Sequence, residues 1–299
     1  MKGWEMVGRS TGPLATAMAL LWLLLGLVWL GWPVWDSAGV PGRAEQQAEA
    51  PWVLTAQCVG LAVLALCLWR GAGRRFEPLA AVTALVVGDC VLRAVFSPGA
   101  GVEVVHALPL LAGAGLGLAP GLLTGATAAL ASTLVASTPA ETLPAQVLVW
   151  ALVGAAGALL RVLPVLAAWL AALPLALVLG MVSGVLLNLI GWAQEPGTGP
   201  SQFAPGLPPD EVVRRLGTYT RETSTALDLV RGATTASLVL LGGLPLLRLL
   251  RGPELRASVR PRADPALAFA LSRRERDLDP THFWTPTVSV PPTPSQEDA

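Results

Sequence analysis

The sequence predicts an all-α fold, a multi-pass transmembrane helix bundle of eight spans. Three observations lead there. Hydrophobic residues make up 53% of the 299-residue chain and charged residues only 13%, against about 25% charged in a soluble domain. The charges gather in short clusters, and the stretches between them are long enough to cross roughly 30 Å of hydrocarbon. The 20 basic and 20 acidic residues cancel, so a nucleic-acid partner has no electrostatic support.

The spans follow from the gaps between charges. Ser10 to Trp35 is 26 uncharged residues between Arg9 and Asp36, too long for a signal-peptide core. Pro51 to Trp69 is the second span, and Leu79 to Phe96, carrying Asp89 and Arg93, the third. Val104 to Ala140 is 37 residues without a formal charge. As one helix it would exceed the bilayer core. Pro120-Gly121 near its middle predicts a hairpin of two spans, 104–118 and 120–137, around a tight turn. Thr142 to Leu160 follows. The stretch 162–194, with Pro164 and Pro174, fits one long tilted helix or two short ones; one helix at 165–192 gives eight spans, whereas two would put the arginine-rich tail outside. The last span, 232–247, must take in Asp228 and Arg231 to be long enough.

Eight spans place both termini on one side. Lys2, Arg9, Arg70, Arg74, Arg75, Arg161 and eight arginines from Arg248 to Arg276 then share that side, 14 in all, against four (Arg43, Arg214, Arg215, Arg221) on the other. The positive-inside rule makes the first side cytoplasmic. Trp32, Trp35, Trp52 and Trp192 fall at the outer boundary, as an aromatic belt would. The expected organisation is an N-terminal hairpin (1–75) with an acidic outer loop (Asp36, Glu45, Glu49), a six-helix core (76–252) and a polar tail (253–299). Within the core, a long outer loop at 193–224 contains a short helix from Asp210 to Leu216 that Pro209 starts. A further short helix is expected at 264–277, and the proline-rich stretch from Pro280 to Ala299 is expected to lack structure.

A charge at mid-bilayer costs about 2.5–3.5 kcal/mol on insertion scales. Here such charges come at helical spacing: Asp89 with Arg93, Glu103 with His106, Asp228 with Arg231. The plain reading of each pair is self-neutralisation. Their depth argues for more. Arg93, Glu103, His106, Gln146, Trp150, Asn188, Asp228 and Arg231 all fall in the outer third of their spans, on five of the six core helices. The inner half of those helices is almost free of polar groups. Such asymmetry predicts a substrate-binding cup open to the outside, with His106, Gln146 and Asn188 as hydrogen-bonding groups and Trp150, Trp192 and Tyr219 as flat walls. Glycines at small-xxx-small spacing (Gly113/Gly117, Gly121/Gly125, Gly180/Gly184) predict close helix packing, and Ala80/Ala84 and Ala15/Ala19 repeat the spacing.

Enzyme signatures are missing. The sequence contains no HExxH, no Gly-Lys-Ser/Thr phosphate loop and no Ser-His-Asp arrangement, and its two histidines, His106 and His282, fall in unrelated places. The three cysteines (Cys58, Cys67, Cys90) lie singly in apolar stretches. No enzyme activity, cofactor or metal site is therefore expected.

Residues 79–250 resemble a substrate-binding S component of an energy-coupling factor (ECF) transporter of the actinobacterial type. The stretches that carry the resemblance are Val91-Leu-Arg-Ala94, Gly101-Val-Glu103, Leu116-Gly-Leu-Ala-Pro-Gly121, Leu143-Pro-Ala-Gln146, Trp150-Ala-Leu-Val-Gly154, Gly184-Val-Leu-Leu-Asn188 and Asp228-Leu-Val-Arg-Gly-Ala-Thr-Thr235. The resemblance implies a six-helix subunit of an ABC-type importer in the cell membrane. It would capture a vitamin-like small molecule outside the cell, with cobalamin one candidate that no spacing selects. It would pair with a coupling transmembrane subunit, touched through Ala80 and Ala84, and with cytoplasmic ATPase subunits. Thr138-Pro-Ala-Glu-Thr142 and Ile190-Gly-Trp192 depart from the family pattern near the cup, and the N-terminal hairpin lies outside its minimal fold. A self-contained secondary transporter is the alternative, although its polar groups would be expected near the midplane.

Overall fold

The computed structural model describes residues 12–96, 103–135, 138–194 and 197–252. The expected tail helix, the proline-rich end, Lys2 and Arg9 lie outside the described residues. Every regular element among the described residues is helical. They are α1 (Pro13–Leu30), a short α2 (Trp32–Trp35), α3 (Arg43–Gly71), α4 (Glu77–Val95), α5 (Ala107–Leu116), α6 (Leu118–Ser132), α7 (Leu143–Gly157), α8 (Val165–Ala193), α9 (Pro209–Thr223) and α10 (Thr225–Leu250). Six are long and apolar enough to cross a membrane: α1, α3, α4, α7 with its 3-10 extension to Val162, α8 and α10. The apolar α5 and α6 are shorter, at 10 and 15 residues.

Local chemistry explains where elements differ from the charge-gap reading. α3 starts at Arg43, well before Pro51, because the Glu45 carboxylate accepts from the Gly42 amide and caps a polar first turn. The first long helix stops at Gly31, and Trp32–Trp35 forms a separate turn. The turn of the central hairpin falls at Gly117, whose φ of 107° suits glycine alone. Pro120 and Gly121 sit instead in the first turn of α6, where a missing N–H costs little. The outer-loop helix runs to Thr223, not Leu216, because Val212, Leu216 and Thr220 recur every fourth residue and bury one face.

The core helices alternate in direction. Gly88 of α4 meets Leu108 of α5, Gly113 of α5 meets Gly121 of α6, and Gly125 and Gly121 of α6 meet Trp150 and Gly154 of α7. Gly180 and Gly184 of α8 lie against Gly232 and Asp228 of α10. The small-residue spacings therefore do mark close packing, and Gly117 alone among them serves a turn. Every residue of α5 except Leu108 is buried, as an all-round apolar helix requires.

Arg251 closes the end of the core opposite to Glu103. Only 7% exposed, it donates to the carbonyls of Ala114 (2.7 and 3.1 Å), Leu160 (3.0 Å) and Leu163 (2.6 Å). Arg161 donates to the Gly115 carbonyl at 3.1 Å. Ala114 and Gly115 lie in the last turn of α5, where carbonyls lack intrahelical donors, and Leu160 and Leu163 lie at the end of the 3-10 extension of α7. Charge-assisted bonds of this kind contribute roughly 1.5–3 kcal/mol each. Arg251→Ala is expected to lower the melting temperature of the detergent-solubilised protein clearly, while Arg248→Ala, on an exposed neighbouring position, leaves it unchanged.

Candidate functional site

The sequence of α10 dictates the centre of a buried polar cluster. Asp228 and Arg231 face inward one turn apart, 1% and 9% exposed. The Arg231 guanidinium donates from Nε and Nη2 to the two Glu103 carboxylate oxygens, at 2.6 and 3.2 Å, and from Nη1 to Asp228 Oδ1. This is the forked geometry for which arginine is suited. Asp228 Oδ2 accepts from Ser224 Oγ at 2.8 Å. Asn188 Nδ2 on α8 donates to Ser224 Oγ (2.7 Å) and to Thr220 Oγ1 (3.2 Å). A continuous network thus joins the entry of α5, the start of α10, the end of α9 and α8. Gly184 makes room for it: a Cβ there would lie about 2 Å from the Asp228 carboxylate. The Glu103 side chain, 31% exposed, is where the network reaches the protein surface.

Trp150 of α7 organises the neighbouring half. The Arg93 guanidinium lies 5.2 Å from its ring centroid, within cation–π range. Arg93 also donates to Ser132 Oγ on α6. His106 meets the Trp150 ring edge-on, with centroids 6.2 Å apart. His106 and Asp89 are fully buried, yet both imidazole nitrogens and both Asp89 carboxylate oxygens lack a hydrogen-bond partner. The buried Oε1 of Gln146, one turn before Trp150, is also unpartnered. Buried polar groups are normally satisfied by protein, water or ligand. This half of the cluster therefore has hydrogen-bonding capacity that the described protein atoms do not use.

The expected charge pairs resolve in three ways. Asp228–Arg231 forms. Glu103 turns away from His106 and joins Arg231, because a guanidinium offers two aligned donors. Arg93 turns from Asp89 to Ser132 and Trp150. Trp192 is not a belt residue: 2% exposed, it packs on Phe203 and Tyr219 and donates to the Ser201 carbonyl, pinning the segment between α8 and α9. Trp32, Trp35 and Trp52 are exposed. Ala80 and Ala84 lie on the exposed side of α4, in line with the exposed Val87, Val91 and Val95.

An open cavity of about 600 Å³ lies beside the cluster's end of the core and not within it. Its walls come from α1, α2, the first turns of α3, Glu141 and Ile190. Reading Glu45 and Glu49 as an acidic loop hid it, since they occupy one face of a helix. Its rim residue Glu141 accepts from its own backbone amide, Gln47 and Arg43, which hold its carboxyl below the usual range.

No family model matches the chain, and comparisons with curated proteins and with solved structures give no match.

Proposed function

We propose that the chain crosses the cell membrane eight times with both termini in the cytoplasm. It captures a vitamin-like small molecule at the Glu103–Arg231 end of its core, as the substrate-binding subunit of an ECF-type ABC importer. One observation carries this reading. Polar side chains from α4, the entry of α5, α7, α8 and α10 converge at one end of the core, and Arg251 and Arg161 at the opposite end bind only backbone carbonyls among the described residues. Among the converging side chains, Asp89 and His106 are fully buried without hydrogen-bond partners among the described residues. Intramembrane groups of this kind are retained for function by default. They are packed closed here, so capture requires the Glu103 entrance to open.

The contacts of α5 support counting it as a span. Glu103, just before α5, bonds to Arg231 near the start of α10, and Ala114, near the end of α5, accepts from Arg251, the residue after α10; α5 itself rises only about 15 Å, and the two arginine side chains bridge the rest. The exposed Ala80/Ala84 side of α4 is the face on which the coupling subunit would dock, with the ATPase subunits supplying energy from the cytoplasm.

The test is mass spectrometry of the small molecules that co-purify with the chain, followed by titration of the stripped protein with whatever is found. The expected result is one ligand per chain, bound without ATP. Combined substitution of Arg93, Asn188, Asp228 and Arg231, made with Glu103→Gln, Asp228→Asn and Arg231→Met so that no buried charge is left unpaired, should weaken it by roughly 100-fold or more. Capture that survives the combined substitution removes this site. Uptake by the chain alone in vesicles, with no ATPase, would favour the self-contained transporter.

A further inference from the structure

The N-terminal hairpin adds something the six-helix core does not need, and the cavity of about 600 Å³ beside it says what. That volume is within the range of small-molecule sites. Its wall carries two indoles, Trp29 and Trp32, and three carboxylates, Glu45, Glu49 and Glu141, with no basic side chain in the lining. Arg43 offsets one carboxylate by pairing with Glu141 at 3.3 Å. Among the described residues no ion pair offsets Glu45 or Glu49. The lining potential is therefore negative.

The walls are held before anything binds. Trp32 Nε1 donates to the Gly39 carbonyl, Gln194 Nε2 to Gln46 Oε1 at 2.7 Å, and Ser37 Oγ to the Leu207 carbonyl at 2.6 Å. These bonds tie the hairpin loop to α8 and to the outer loop. The carboxylates do not converge: no group of three or more acidic, His or Cys side chains among the described residues is placed to hold a metal ion. A spread of negative charge around aromatic faces suits a bulky, weakly hydrated cation.

We propose that this cavity is a second binding site, for a small organic cation with an apolar body, an alkylated ammonium for example. Indole faces take the cationic carbon shell, and Glu45 and Glu49 supply the countercharge. The same chemistry could arrive as a free solute or as the ammonium headgroup of a lipid, since the hairpin flanks the outer end of the bundle.

Calorimetric titration of the full chain in phosphatidylglycerol nanodiscs with benzyltrimethylammonium tests it. The expected result is saturable binding, absent for benzoate and weakened about 10-fold or more in E45Q/E49Q. Both glutamates are exposed, and glutamine at position 45 keeps an oxygen for the Gly42 amide that caps α3, so that variant should melt with the parent. In salt high enough to screen the lipid surface charge, weaker apparent binding in discs of phosphatidylcholine, whose headgroup is a quaternary ammonium, would identify the lipid headgroup as the source, and equal binding the free solute. Binding of benzoate as tight as the cation, affinity unchanged in E45Q/E49Q, or no saturable binding would each overturn the proposal. None of these outcomes touches Arg231, so ligand capture in the core is judged separately.

Discussion

Gly154→Val is expected to abolish stable folding of the core, and Gly154→Ala to destabilise it severely. A Cβ on Gly154 would lie 2.0 Å from the Gly121 carbonyl oxygen and 2.4 Å from its carbon. One on Gly121 would meet Gly154 O at 2.5 Å and Gly113 Cα at 2.6 Å, and one on Gly113 would meet Gly154 O at 1.9 Å. Three helices touch backbone to backbone at this point, so no side chain can swing aside. Ordinary overpacking costs about 1–3 kcal/mol because neighbours relax. Here relaxation means separating α5, α6 and α7, so at least about 3 kcal/mol is expected. The check is thermal unfolding and monodispersity in detergent, set against Gly191→Ala and Gly242→Ala. A Cβ at either of those meets nothing within 4 Å. Alanine should be neutral there or stabilise by up to about 1 kcal/mol through helix propensity. The same packing reaches the candidate site, since Gly125 brings α6 against the Trp150 backbone. A Gly154 variant that melts like the parent would mean that these helices are not in contact.

Which parts of this architecture the sequence reveals follows from what each signal measures. Gaps between charges report where a chain can enter hydrocarbon, so α4, α7 and α8 fall within a few residues of their expected bounds. They say nothing about capping, which is why the polar first turns of α3 and the continuation of α9 past Leu216 were not visible. Helical spacing reports which side chains share a face, not which way they reach. Asp228 and Arg231 share a face and bond. Asp89 and Arg93 share a face, but the Trp150 ring and Ser132 on other helices draw Arg93 away. Polar position along each helix predicts one region for Arg93, Glu103, His106, Gln146, Trp150, Asn188, Asp228 and Arg231, within which Arg93 and His106 meet Trp150 and a hydrogen-bond network joins Glu103, Arg231, Asp228 and Asn188. It could not tell that the region is packed shut, because closure depends on bare positions such as Gly184. Arg251 shows the limit most directly. A charge count treats it as one more basic residue near the membrane, whereas its bonds to Ala114, Leu160 and Leu163 depend on three chain segments meeting.

Arg231→Ala should unfold or grossly destabilise the protein, and the way it is rescued separates two roles for the cluster. Removing the guanidinium strands the Asp228 carboxylate, 1% exposed, and leaves Glu103 without its fork. Breaking a buried pair in this way costs about 3–5 kcal/mol, since a buried charge is left without a partner. Neutralising the abandoned partners removes that penalty. The triple variant Glu103→Gln, Asp228→Asn, Arg231→Met should therefore recover most of the melting temperature lost in Arg231→Ala, because a neutral cluster needs no countercharge. If the network only joins helices, the triple variant also keeps every binding property of the parent. If the network holds a ligand, the triple variant folds but loses capture, and Arg231→Lys, with one point charge in place of a planar fork, falls between. Melting curves and ligand titration on the same three samples give the answer. Stability that stays low in the triple variant would show that the charges themselves, and not merely their mutual cancellation, hold α10 to the entry of α5.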